Sequence, residues 1–498
     1  MQTHCDAPRL DEDVWFMIVS LVSPNTARNL SLVSRHIHLV ARRAVLSRAE
    51  PSQPGQLVKI CSYMLDNPCH RACWLRELRI HKFALRLPYA DSREMGRARR
   101  SLIVQLASLL TAAQDLRVLV FPLLELMLEL EPRLGDALIT LERLHSVALE
   151  DVASCAMEVA SRMKSYPSEV TFAFASEISV PQNFVTLSRL PLLRNAHAVV
   201  LDSVCLPVKG PPGSQLQLGD LGQHPTVREV RLYRCGALPI PHLFPNIETL
   251  HFHDQHYSSD FTPQRWTWPA SKPLVHLTAS LDQLQCFTSV PVRRLYLHWQ
   301  YAPNVDGLLS ALLSIRPILL SFQLDGQESL WAALLREMLG PAGRLRHLEI
   351  TAQCSTTRRG CLITPLMDWL LPVIAKSSLV CVRLGFYDSD AMSMYQQPEQ
   401  RHKLKTSTPA LNIAQQVAAR VPSLKYICVA MEARSYDSRQ YHRRVLEGCT
   451  WWRVHGNAAG RRSVQNISNE AGERVEDYMG SADFERKLSL DGFVLTGS

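Results

Sequence analysis

Histidines at alternate positions in His251-Phe252-His253, followed by Asp254-Gln255-His256, form the best metal candidate in this chain. On a strand, residues two apart project to the same side, so His251 and His253 could offer two nitrogens to one ion. Zinc needs further ligands, and Asp254, the one acid in the segment, falls on the other face; no metal is expected. Cys61, Cys69, His70 and Cys73 are a looser group. Their C-x₃-C spacing lacks the pairing of a structural zinc site, so buried or idle thiols are the expectation. Phosphate-loop, dinucleotide-binding, zincin and nucleophile-elbow motifs are all absent from the sequence. No catalytic residue, cofactor or enzymatic activity is assigned.

Composition narrows the classes further. The 498 residues are 46% hydrophobic and 20% charged, with a net charge of +8. That excludes wholesale disorder, and no apolar run reaches the ~18 residues of a membrane span. The apolar stretch from Val14 to Val22 follows Asp11-Glu12-Asp13, the wrong charge for a secretory signal. Thirteen cysteines without such a signal point to reduced thiols, hence to the cytoplasm or nucleus. The basic runs Arg93–Arg100 and Arg461-Arg462 are short. They read as solvated loops or as phosphorylation contexts for Ser101 and Ser463; neither nucleic acid nor membrane is expected as a partner.

The elements that would position a binding surface begin at the N-terminus. Val14, Ile18 and Leu21 recur at helical spacing, and Ser23-Pro24 supplies a hydroxyl cap followed by a first-turn proline. Leu30, Val33, Ile37, Val40 and Ala44 then continue an apolar stripe. Three short helices in about 40 residues cannot bury much surface by themselves, so part of their apolar face is expected to be offered to a partner.

The stretch LDEDVWFMIVSLVSPNTARNLSLVSRHIHLVAR resembles an F-box: an acidic start, an aliphatic helix, a Ser-Pro step, then Leu-Ser-Leu-Val-Ser-Arg. The family's usual Leu-Pro opening is Leu10-Asp11 here, and Thr26-Ala27 replaces a more aliphatic pair. The resemblance implies docking onto the Skp adaptor of a cullin-RING ubiquitin ligase, with Leu10, Ile18, Leu21, Leu30 and Val33 at the adaptor-binding positions.

From residue 75 a second pattern recurs, with apolar residues at positions 0, +3 and +5. It runs through Leu75/Leu78/Ile80, Leu116/Leu119/Phe121, Val227/Val230/Leu232 and Ile247/Leu250/Phe252. Further instances are Leu274/Leu277/Ala279, Val292/Leu295/Leu297, Leu319/Phe322/Leu324, Leu345/Leu348/Ile350, Leu379/Val382/Leu384 and Leu424/Ile427/Val429. The +3 and +5 pair alternates as one face of a strand does. Helical stretches fall between, at 101–110 and 305–315 and after Thr364-Pro365 and Thr408-Pro409. Strand alternating with helix predicts an α/β chain of short parallel strands.

This pattern resembles an irregular leucine-rich-repeat array, and an F-box joined to such an array is a combination seen in fungal-type F-box proteins. The repeat family's Asn at +8 is replaced by Cys235, Gln255, Asp282, Gln300, Gln327 and Gln353, of which the amides and the carboxylate are expected to serve the neighbouring turn in part in its place. The fold class read from the sequence is therefore α/β, a small three-helix F-box followed by a solenoid. The divisions are residues 1–50 for the helical module, 51–433 for the array and 434–498 for a C-terminal cap and tail. Trp451-Trp452 is expected in a last strand or cap and Glu473–Leu488 in one terminal helix.

With +3 and +5 in the core, +2, +4 and +6 face outward. That row displays Arg231 and Tyr233, His251 and His253, and Arg294, Tyr296 and His298, continued by His276, His347, Glu349, Arg383 and Tyr426. Arginine and tyrosine are typical of binding hot spots, so the row is the expected substrate-binding face for an unidentified protein target. Together these expectations describe a non-catalytic substrate receptor of an SCF-type ligase, or alternatively a protein-binding scaffold without a ligase role.

Overall fold

Every +3 and +5 residue of those triplets is buried, and so is every position-0 residue. A leucine buried this way contributes about 1.5–3 kcal/mol relative to exposure, which is why a three-point pattern repeated along the chain is enough to organise it. The computed structural model describes residues 11–33, 35–85, 92–175, 181–204, 218–235, 238–253, 268, 273–280, 283–284, 287, 290–298, 305–324, 328–340, 343–354, 363–388, 407–430, 449–456, 461–490 and 493. The chain is mixed α/β and divides into two compact units, residues 1–246 with 254–261, and residues 247–253 with 262–498.

The first unit opens with helices α1 (Glu12–Leu21), α2 (Pro24–Leu30) and α3 (Arg35–Leu46). The Ser23 hydroxyl accepts from Thr26 N–H at 3.2 Å with Pro24 in the first turn, the start predicted from the Ser-Pro step. Val19, Ala27, Ile37, Val40 and Ala41 form a small core of their own. Strand β1 (Arg48–Ala49), helices α4 (Pro54–Leu65) and α5 (Pro68–Arg71), and strand β2 (Glu77–Arg79) follow. Then come α6 (Ser92–Ala112), β3 (Val118–Phe121), α7 (Leu124–Leu130), α8 (Arg133–Ile139), β4 (Ser146–Val152) and α9 (Ser154–Arg162). The unit closes with β5 (Glu169–Phe174), α10 (Pro181–Ser188), β6 (Ala198–Asp202), β7 (Glu229–Tyr233) and α11 (Ile240–Leu243). Strands β1 to β7 pair in chain order, all parallel. Strands β4, β5 and β6 lie in a stretch for which no triplet was read.

The second unit carries β8 (Thr249–His253), β9 (Leu274–Ser280), β10 (Val292–His298), α12 (Val305–Ile315), β11 (Leu319–Leu324) and α13 (Glu328–Met338). It continues with β12 (His347–Cys354), α14 (Ile363–Ile374), β13 (Cys381–Asp388), α15 (Ser407–Arg420) and β14 (Tyr426–Ala430). Strands β8 to β14 are parallel neighbours in chain order. Strands β15 (Cys449–Gly456) and β16 (Arg462–Ile467) then add antiparallel, and Trp451-Trp452 lie in β15.

Two readings need correction here. Leu320 and Phe322, not Phe322 and Leu324, pair with Leu348 and Ile350, so Leu319 stands at a +2 position; the strand is read two residues late, which keeps the faces but shifts the register. The single terminal helix is two, α16 (Asn469–Met479) and α17 (Ala482–Lys487), because Gly480 ends the first and the Ser481 hydroxyl caps the second through Phe484 N–H at 3.2 Å. Among the described residues no helix is long and apolar enough to cross a membrane.

Candidate protein-docking surfaces

The helical trio packs only part of its apolar surface. Leu21 is 86% exposed, Leu32 81% and Val33 69%, with Leu39, Met17 and Phe16 also exposed. Ile18 and Leu30 are half-buried, and Leu10 lies outside the described residues. Such a group of large aliphatic side chains facing water on one small module is the mark of an interaction site. Val19 and Ala27 point inward instead, so the trio's fold does not depend on Leu21 or Val33. Phe16, Leu32 and Leu39 were not singled out from the sequence, although Leu32-Val33 closing the α2 turn was a readable signal.

Beside that surface lies a cleft of about 840 Å³ with an apolar side at Phe16, Val19 and Val22 and a basic side at Arg76, Arg117 and Arg143. Arg76 and Arg143 both pair with Asp115. The hydrogen bond from Arg76 holds that carboxyl below its usual range, with Arg143 adding to it. Arg117 is exposed, so the cleft presents uncancelled positive charge to anything seated on the trio.

On the sheet of the first unit, the displayed positions form transverse rows. One runs Arg79, Val120, Ala148, Thr171, Val200, Arg231, all half-buried, with small side chains between two arginines. Arg231 pairs with Glu229 on its own strand at 2.5 Å, and Tyr233 is likewise half-buried. At the +8 position that follows, the Cys235 thiol lies 3.3 Å from Leu201 O in the preceding strand and 3.2 Å from Tyr233 O, and its one proton serves one of the two carbonyls. Gln255, Asp282, Gln300 and Gln327, and the side chain of Gln353, lie outside the described residues.

In the second unit the same positions are covered unevenly: His276, Arg294 and Tyr296 are half-buried. His251 and His253 are buried. His251 Nδ1 shares a hydrogen bond of 2.9 Å with the buried Thr278 hydroxyl, which also meets His276 Nε2 at 3.1 Å. The hydroxyl can donate to one ring and accept from the other. Rings stack onward, His253 on His251 at 5.8 Å, His251 against His276 at 4.8 Å, and His276 against Tyr296 at 4.6 Å. The side chain of His298 lies outside the described residues.

Further along the sheet, α16 and α17 lie on the row itself. Val475, Met479 and Phe484 pack with Cys381, Tyr426, Cys428 and Trp451. Arg294 donates to the carbonyls of Glu476 and Asp477 at 3.3 and 3.4 Å, and Arg293 to that of Gly480 at 3.3 Å. Two cations therefore cap the negative end of α16. Arg383 pairs with Glu476 at 3.0 Å and with Glu349 at 3.7 Å. Burial lowers the pKa of the guanidinium, but the two carboxylates outweigh it and the net shift is upward. Glu485 bridges Arg293 at 2.7 Å and Arg344 at 2.8 Å. Two glycines let the cover seat so closely: a Cβ at Gly472 would enter the Trp451 ring, and one at Gly480 would meet the Arg294 guanidinium. Arg294 thus serves the chain's own C-terminal segment, which is a correction to the expectation that it faces a target.

No family model matches the chain, and no curated protein matches it.

Proposed function

We propose that this chain is the substrate-recognition subunit of an SCF-type cullin-RING ubiquitin ligase, with the N-terminal trio gripping the Skp adaptor. What carries the reading is the exposure of Leu21, Leu32 and Val33 on a module that already has a core of its own. The F-box-like sequence of the same segment names the partner. Burying those side chains against a complementary surface would contribute about 1.5–3 kcal/mol each. The reading seats the protein target on the strand face of the first unit, around Arg231 and Tyr233, because both residues are half-exposed there. The contribution to ubiquitin transfer is positional: a held target presents its lysines at high effective concentration.

The test compares recovery of the Skp adaptor on the full chain and on Leu21→Asp. An 86% exposed side chain can be changed without unfolding the trio. A charge at the centre of an apolar interface is expected to cost about 2–4 kcal/mol, roughly 30-fold to 1,000-fold in affinity. Equal recovery on both would favour the scaffold without a ligase role.

A further inference from the structure

Beneath α16, strands β14 and β15 bring two thiols together. Cys428 faces the covered side and is fully buried, whereas Cys449 is partly exposed. In the antiparallel register Cys428 stands opposite Trp451 and Cys449 opposite Ala430, so the two cysteines are diagonal neighbours on one face. The two thiols lie near enough for each to shift the other's ionisation. Arg383 reaches the Cys449 sulfur with Nη2 at 3.4 Å.

We propose that Cys428 and Cys449 are a redox-active dithiol, with Cys449 attacking hydrogen peroxide and Cys428 resolving the product to a disulfide. The roles follow from access and charge. Cys449 is the sulfur that solvent reaches and the one held by a guanidinium, the setting of reactive rather than structural cysteines. The neighbouring Cys428 thiol, with Arg383 behind it, holds the Cys449 thiol below its usual range against its own burial. Burial pushes Cys428 the other way. The charged groups around the pair are Arg383 on β13, Glu349 on β12 and Glu476 on α16, and the two carboxylates already share Arg383.

The chemistry balances. The Cys449 thiolate attacks one peroxide oxygen and breaks the O–O bond, giving a sulfenic acid and, with one proton, water. The Cys428 sulfur then attacks the Cys449 sulfur and expels the hydroxyl, which leaves as a second water with the Cys428 proton. Two thiols lose two electrons to one peroxide. The closed bond removes the sulfur partner from Arg383 and leaves it to Glu349 and Glu476.

The test treats the full chain with a small excess of hydrogen peroxide at neutral pH, blocks it with iodoacetamide and maps it by mass spectrometry without reductant. The expected product is a peptide pair joined through Cys428 and Cys449, formed ahead of any oxidation at the exposed Cys69 or Cys155. Cys428→Ser should abolish the link and leave a dimedone-trappable sulfenic acid on Cys449. Without oxidant, iodoacetamide should label Cys449 about tenfold faster than Cys69. That measurement on the unaltered chain decides the matter even where a serine variant fails to fold. Oxidation of Cys69 or Cys155 first, or Cys449 labelling no faster than Cys69, overturns the proposal.

Discussion

Two stretches of parallel strands in this molecule share one core pattern and put their other faces to opposite uses. In the first unit the +4 positions carry small residues between Arg79 and Arg231 and stay half-exposed. In the second the +2 and +4 positions carry His347, Glu349, Cys381, Arg383, Tyr426 and Cys428, and α16 with α17 lie over them. The lesson concerns what a strand pattern can say. Alternation settles which side chains leave the core face; it does not settle whether water, a partner or the chain's own tail meets them. A row rich in arginine and histidine looks like a binding surface, and in the second unit it is one, with α16 as the occupant.

If the cover is a packed part of the second unit, removing its anchor should cost that unit much and the first unit nothing. Phe484 is fully buried among Met479, Tyr426 and Trp451. Phe484→Ala is expected to destabilise the second unit by about 3–5 kcal/mol. Hydrogen exchange would report it as lost protection in β13 to β15 while β3 to β6 keep theirs. Unchanged protection in both would mean that the cover rests on the row without contributing to its stability. Glu476→Ala comes next. It leaves the buried Arg383 with the Glu349 carboxylate at 3.7 Å and the Cys449 sulfur at 3.4 Å, and breaking one side of a buried ion pair costs about 3 kcal/mol. Chemical denaturation of Glu476→Ala against Glu476→Gln separates loss of charge from loss of packing.

Acid should find the same difference. His347 is wholly buried with neither ring nitrogen hydrogen-bonded among the described residues. Burial first, then the nearby charges of Arg383 and Arg294, lower its pKa to about 3. The folded state therefore keeps the ring neutral, while the unfolded chain takes up a proton below about 6.5. Stability is full above that value and falls as pH drops toward 3, by up to about 1.4 kcal/mol per pH unit. Glu485, lowered by its two arginines against the effect of burial, adds a loss of the same sign. His347→Phe should flatten the dependence in the second unit; an unaltered slope would show that the titration lies elsewhere.

Legibility in the sequence followed the range of the interactions. The core triplets were visible because each rests on three local leucine-like positions, and the Ser23-Pro24 start because a cap spans one turn. Strands β4 and β6 carry the same spacing, Leu144/Val147/Leu149 and Ala196/Val199/Leu201, all buried, and were passed over. Alanine is a faint signal at position 0, and β5 has Pro167 there. The helical character of the cover was legible, but its seat on the strand row was not. Glu476 and Glu485 fall in the single terminal helix expected over Glu473–Leu488, which runs through Gly480 without a break. The meaning of Gly472 and Gly480 comes from Trp451 and Arg294, residues far away in the chain. The trio's exposed leucines lie between these cases: the apolar stripe was readable, but which of its members turn outward depended on how α1 and α2 settle on α3.

The smallest expected effect tests the open face itself. Arg231 is half-exposed, and its pair with Glu229 lies along one strand at the surface. Exposed pairs of this kind contribute about 0–1 kcal/mol, so Arg231→Ala should leave the stability of the first unit nearly unchanged. Arg383→Ala, at a register position of the same parity in the second unit, should be severe, because it leaves Glu349 and Glu476 buried without their cation. Thermal denaturation of the two variants side by side measures the contrast directly. Comparable losses would mean that the first unit's face is also covered in solution, and the site for a target would then have to be sought on the helical trio alone. A near-silent Arg231→Ala makes that arginine free to be spent on a partner, where the same substitution would be read as lost binding.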